Sequence, residues 1–481
     1  MKHGAPAHLV PAFLATILVV GCGGGGGSGG NTTAGIDRGG GPTIAQGPIS
    51  GFGSVIVNGV HYSTNGAIIT VDDRPGTESE LRVGQVVRIE ATLDASGTSA
   101  TAKSVTYDDD VEGPVQSIDL AASRLVVLGQ SVRVDAATSF GDSIVPSGLE
   151  GLRIGDRVEV SGLAASSGEI LATRIERKAA TGAFEVAGTA TAVDTAARRL
   201  RIGNLTVDYA SAQLSDFAGG QPANGDVVEA KGTLNSAGTL VATQLERRGT
   251  SLPGAANTKG EIEGLVTRFV SASDFDVAGA RVTTTASTVF EGGSATSLRL
   301  DAAVEVTGTI DATGRLVAQK VEFRRESDVE LEGRVDTVNA AGNSLTVLGQ
   351  SVRTTGETRF EDKSSAGLQR FSLADVRAGD LVEVRGYRDG QVIVATLLER
   401  ENSTASGGSV EVKGPATAVS PPNLTVAGVL VATDSRTEFR DKNGVSITAA
   451  AFFAAAPGRE VKVRGTLNGN TVLAERAELE D

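Results

Sequence analysis

Three landmarks recur six times in the same order along the chain, and that repetition constrains the fold more than any other feature. The first is an apolar residue, any residue, then Gly at the head of a strand-like run, at Gly51, Gly113, Gly188, Gly264, Gly333 and Gly414. The second is an alternating apolar run broken by a Gly-containing turn: VIVNGVHY, LVVLGQSVRV, LRIGNLTVD, FDVAGARVT, LTVLGQSVRT and LTVAGVLVA. The third is a Gly-led strand of period 2: VGQVVRIEA, IGDRVEVSG, NGDVVEAKG, LDAAVEVTG, AGDLVEVRG and PGREVKVRG. In these runs Val and Ile face one way, while residues such as Arg157, Glu159, Lys462 and Arg464 face the other. Asp301 replaces the leading Gly in the fourth copy, so a different turn is expected there.

Turn chemistry fixes the hairpins. Asn58-Gly59 suits a type I′ turn, and Gly129-Gln130 and Gly349-Gln350 suit type II′, with Gly at the first central place. A further strand ends each copy, as in ILATRIERK and LVATQLERR. Short helical stretches are expected at SGLEGL (147–152) and SLADVR (372–377), the latter N-capped by Ser372. Phe140, Phe290, Phe360 and Phe439 share one repeat position and read as core. Five strands with a helical turn between the third and fourth is the order of the OB-fold, whose first strand must bend at a Gly.

The expected fold is all-β: six tandem small OB-like five-stranded β-barrels with short helical turns, arranged as beads-on-a-string. The repeats are placed at 48–109, 110–178, 183–249, 258–326, 328–401 and 409–481. A six-bladed propeller is the architectural rival, but its blades carry four strands in about 40 to 50 residues, fewer than the five strand signals of each copy. Barrels of about 70 residues have modest cores, so neighbouring copies are expected to share stability.

The first 21 residues read as a lipoprotein signal peptide. Lys2 supplies a positive start, the apolar run Leu9 to Val20 is too short to span a bilayer, and Val19-Val20-Gly21-Cys22 resembles a lipobox. Cys22, the chain's one cysteine, is thereby the expected lipidation site, anchoring the protein to a membrane without spanning it. Gly23 after it points to the outer membrane of a diderm cell. Residues 22–47 are Gly-rich and read as a flexible tether spanning on the order of 25 to 30 Å.

The landmarks together resemble the bacterial domain-of-unknown-function family 5666, best through VEGPVQSID, LVVLGQSVRVDAATSF, LEGLRIGDRVEVSG and EILATRIERK, and through LTVLGQSVRTTGETRF and LADVRAGDLVEVRGY. The resemblance spans nearly all of 46–481. It implies tandem small β-barrels on exported proteins and brings no activity, so no functional residue is carried over.

Chemistry-bearing constellations are sparse, and the chain reads as non-enzymatic. His3 and His8 fall in the signal, leaving His61 beside a hairpin turn without the partners a Ser-His-Asp arrangement needs. No catalytic residue, cofactor or metal ligand is expected: zinc lacks Cys and His, and no D-x-D-x-D-G calcium loop is present. The acidic runs Asp108–Asp110 and Asp72-Asp73 are the candidates for calcium, which takes carboxylates, but read first as solvated junctions between barrels, and Glu176-Arg177 and Glu399-Arg400 read as outward charges that protect strand edges. A formal net charge of -14 argues against nucleic acid. The membrane is the expected partner, through the lipid, for a monomer that binds or spaces; envelope polysaccharide or protein is the other possible partner, as for an adhesin-like lipoprotein. A calcium-binding repeat protein and an envelope enzyme rank below these. Arg133 and Arg353, with Gln130 and Gln350, exceed what a hairpin turn requires and are the candidate ligand contacts.

Overall fold

The computed structural model describes Met1 and residues 40–249, 252, 254–402 and 409–480. The expected signal segment after Met1, the expected lipidation site Cys22 and the run to residue 39 lie outside the described residues.

The second repeat shows how each barrel closes. Val111–Asp119 pairs antiparallel with Arg124–Val127, which pairs with Gln130–Arg133. Gln130–Arg133 runs parallel to Ile170–Arg177, and Arg157–Ala164 then bridges Ile170–Arg177 back to Val111–Asp119. That is the OB order, and the other repeats follow it. The helical turns lie where expected but are 3-10 turns, Leu149–Gly151 and Leu373–Asp375, the second boxed by reciprocal Ser372 and Asp375 contacts. The one α-helix among the described residues is Ala449–Ala455 in repeat 6, capped by Thr448, at a segment without apolar periodicity cues beyond Phe452 and Phe453.

Strand-one glycines have a reason other than bending. At Gly113 an added β-carbon would lie 2.7 Å from the Cβ of Leu128, the turn residue of the same repeat's hairpin. Gly264 meets Ala278, Gly333 meets Leu348 and Gly414 meets Ala427 in the same way. In repeat 1 the equivalent residue is Gly47, opposite Val87 as Gly113 is opposite Val158, and not Gly51. Gly41–Gly51 is accordingly a strand with Ile44 and Ala45 buried, so the expected tether to Gly47 ends earlier, where apolar side chains begin to pack.

The first hairpin is as expected, with Asn58 (φ 51) and Gly59 (φ 71) forming a type I′ turn between Val57 and Val60, but the hairpins of repeats 2 and 5 differ. Val127 pairs with Gln130 and both Leu128 (φ 45) and Gly129 (φ 78) are left-handed, so the turn is type I′ centred on Leu128-Gly129; Leu348-Gly349 matches it. Leu128 tolerates this strained φ because its side chain is fully buried over Gly113. Asp301, by contrast, keeps the turn that the other copies make with Gly. Its φ is 62 and its N–H donates to Val266 O, as Gly155 N–H donates to Val115 O.

Tandem all-β modules are thus as expected, but the string is not. The described residues from Gly40 onward form one compact unit, built from three twelve-stranded sheets that each fuse two repeats through their first strands. Repeats 2 and 3 pair antiparallel, Val111 opposite Val186; repeats 5 and 6 do the same, Leu331 opposite Val412. Repeats 1 and 4 pair parallel, Ala45 opposite Glu261. Repeats 2 and 3 share one apolar core, as do 5 and 6, while repeats 1 and 4 have a core each, that of repeat 4 taking in Ile44 of repeat 1. Pairing covers strand edges that separate beads would expose, and it enlarges cores too small alone. Phe140 and Phe439 are buried in those cores, with Phe290 and Phe360 packed against them.

Candidate functional site

The repeated hairpin residues serve barrel pairing. Gln130 Nε2 donates to Ile202 O at 2.9 Å, and Gln350 Nε2 to Gly428 O at 3.0 Å, so each clamps the hairpin of the following repeat. Gly203 and Gly428 leave room for those amides, since a β-carbon at either would collide with the Gln side chain. The recurrence of VLGQSVR in repeats 2 and 5 follows, because these are the first members of the two antiparallel pairs. The two arginines part company. Arg353 is solvent-facing beside Asp389 at 3.2 Å, whereas Arg133 lines a cavity.

That cavity, of about 560 Å³, lies where repeats 1, 2, 4 and 5 meet. Arg324 crosses its wall, donating to Glu263 at 2.8 Å and pairing with Glu305 and Glu357, which links repeat 4 to repeat 5. Burial alone would lower its pKa, but Glu263, Glu305 and Glu357 outweigh that and raise it. Arg325 stacks 4.4 Å over Tyr387. Arg359 reaches Thr173 O at 3.2 Å, and burial lowers its pKa. Asp301 accepts from Ser166 N at 2.6 Å and so ties repeat 4 to repeat 2. His61 is exposed, with Nδ1 3.2 Å from Ser54 Oγ.

Of the acidic junctions only Asp73 is solvated as expected; Asp72, Asp108 and Asp110 are partly buried, and Asp109 corrects the sequence reading outright. Asp109 is fully buried in the three-residue link between repeats 1 and 2, and neither carboxylate oxygen has a hydrogen-bond partner. Its ligand atoms lie within 4.8 Å of those of Glu112 and Glu159. Burial, then Glu185 and Glu159, push its pKa well above the carboxylate range; burial and Glu159 push Asp72 up to about 6. Tyr107 donates to Glu159 at 2.8 Å, Lys178 pairs with the other Glu159 oxygen, and Arg157 holds Glu112 at 2.5 Å. Asp110 differs: its Oδ2 accepts from Gly162 N at 2.7 Å.

Glu399 is likewise buried rather than outward, and there a protein cation sits in the cluster, Lys363 Nζ at 2.6 Å. Glu176 binds Arg174, a buried guanidinium that also reaches Glu361 of repeat 5 at 2.9 Å and Val83 O of repeat 1 at 2.9 Å. The sequence did carry a signal for this: Glu159, Glu229, Glu305 and Glu383 occupy one outward strand position in four copies, and all are buried against neighbours.

A family model described as "Domain of unknown function (DUF5666)" matches the chain six times, at residues 43–106, 112–176, 187–246, 263–322, 332–399 and 413–478. No curated protein and no solved structure matches it.

Proposed function

The chain belongs to the DUF5666 family, and from that premise we propose that it is a lipid-anchored, non-enzymatic scaffold of the cell envelope, held to the outer membrane through Cys22. The observation that carries the reading is where the repeats' surplus polar groups go. Gln130, Gln350, Arg174, Arg324, Asp301 and Tyr107 all reach from one barrel to another. A chain whose recurring polar residues assemble its own modules into one block is suited to present a fixed surface at a distance from its anchor.

The anchor is tested by replacing Cys22 with Ser. The variant should leave the membrane fraction and lose incorporation of labelled fatty acid; a variant that stays with the membrane refutes the anchor. The block is tested by small-angle scattering, where a compact chain of this length gives a radius of gyration of about 23 Å. A value well above that restores the extended array. A second reading, capture of envelope polysaccharide or protein, is favoured by the central cavity that Arg133 lines. It requires Arg133→Ala to weaken retention on envelope material while Arg353→Ala does not, and equal retention by both removes it.

A further inference from the structure

We propose that Asp109, Glu112 and Glu159 form a binding site for one divalent, oxygen-seeking cation, calcium, at the junction of repeats 1, 2 and 3. The acidic cluster is joined by an independent observation: the Asp109 carboxylate is fully buried, faces Glu112 and Glu159, and lacks a hydrogen-bond partner on either oxygen. A buried carboxylate in that state is costly unless something positive meets it. The local charge leaves room for such an ion. Arg157 pairs with Glu112 and Lys178 with Glu159, while both oxygens of Asp109 and Oδ1 of neighbouring Asp72 are without a hydrogen-bond partner. A bound cation would meet the Asp109 carboxylate where no protein group does.

Spacing agrees as well. Two oxygens bound to one calcium at about 2.4 Å each are at most about 4.8 Å apart, and all three ligand atoms lie within 4.8 Å of one another. All three donors are carboxylates, the hard oxygen ligands that suit calcium and not zinc or copper. In the Glu383, Glu399 and Glu401 cluster a protein cation, Lys363 Nζ, lies 2.6 Å from the most buried carboxylate, Glu399, whereas among the described residues no ion pair or hydrogen bond is made by the carboxylate of Asp109, the most buried member of its own cluster. The ion would fasten the link between repeats 1 and 2 next to the strand pair in which Glu112 faces Glu185 of repeat 3.

Tyr107 gives a test that leaves the ligands intact. The protein has no Trp and four Tyr, and Tyr107 touches Glu159 directly. The whole chain, stripped with a chelator, should bind one calcium by titration calorimetry, and terbium in the same place should luminesce when tyrosine is excited. Tyr107→Phe should lose most of that emission with calcium stoichiometry unchanged, and Asp109→Asn should weaken calcium binding by more than about 100-fold. Glu383→Gln, in the other cluster, should bind as the wild type does. Absence of calcium binding in the wild type overturns the proposal. So does emission that survives Tyr107→Phe, or affinity unchanged by Asp109→Asn; should the Asn variant not fold, the Tyr107→Phe result decides.

Discussion

Arg174→Met should loosen the block at its centre. The guanidinium is 4% exposed and bonds three repeats at once: Glu176 of its own barrel at 2.8 Å, Glu361 of repeat 5 at 2.9 Å and the Val83 carbonyl of repeat 1 at 2.9 Å. Met fills similar volume but leaves the Glu361 carboxylate buried, its Oε2 already without a hydrogen-bond partner. Removing one member of such a pair costs about 3–5 kcal/mol, because the remaining charge stays desolvated. Neutralising the stranded group as well, in Arg174→Met with Glu361→Gln, should recover part of that loss and give a coupling of about 1–3 kcal/mol. Urea denaturation of the wild type, both single variants and the double variant measures all the quantities needed. A single-variant cost below about 1 kcal/mol, or strictly additive costs, would refute the inter-repeat role assigned to this arginine.

Three further outcomes are expected. Gln350→Ala leaves the Gly428 carbonyl without its donor at a barrel pair and should cost about 1–2 kcal/mol, whereas Arg353→Ala, at an exposed ion pair, should fall within about 0.5 kcal/mol of wild type in the same titration. Gly386→Ala would drive a β-carbon into the Val394 carbonyl oxygen and should cost at least about 2 kcal/mol more than Gly390→Ala, where nothing lies within 4 Å and only a φ of 62 resists; equal melting temperatures would contradict this. Stability should rise on mild acidification. Burial, with Glu411 and Glu383, raises Glu332 to about 7, and burial with Glu399 raises Glu401 to about 7, so the folded chain takes up protons below pH 7 that the unfolded chain takes up only near 4.5. Asp362, lowered to about 2 by Arg400 against the effect of burial, works the other way, and its contribution is lost only below about pH 4. Melting temperature should therefore climb from pH 8 toward 5, less so in Glu332→Gln; a flat or opposite trend over that range would sink the argument.

Repeat number, strand order and the alternation of buried Val with outward charge were legible in the sequence because they are local. A period of 2, a Gly-bearing turn and a five-strand unit are written within some 70 residues, and Ser372 and the core Phe positions follow from the same local rules. Even here local reading slipped by a few residues. Asn58-Gly59 is read correctly, but the first landmark falls at Gly51 instead of Gly47 and the turns of repeats 2 and 5 one residue late, because the glycine's role is to admit the Leu128-type side chain, a contact visible only once the hairpin has folded back.

What lies between barrels was decided by the tertiary structure alone. Nothing in the sequence says that repeat 1 pairs with repeat 4 while repeats 2 and 3, and 5 and 6, pair as neighbours. Those pairings bury side chains whose alternation marks them only as facing away from their own core. Glu159, Glu399 and Asp109 therefore read as solvated until a second barrel is placed against them. The physical reason is that alternation reports which face of a strand a residue occupies, whereas burial of the outer face depends on partners in other repeats, 52 residues away for Glu159 and Tyr107 and 187 for Arg174 and Glu361. For Gln130 and Gln350, two identical amides in an identical local motif, that distinction separates a ligand contact from a clamp.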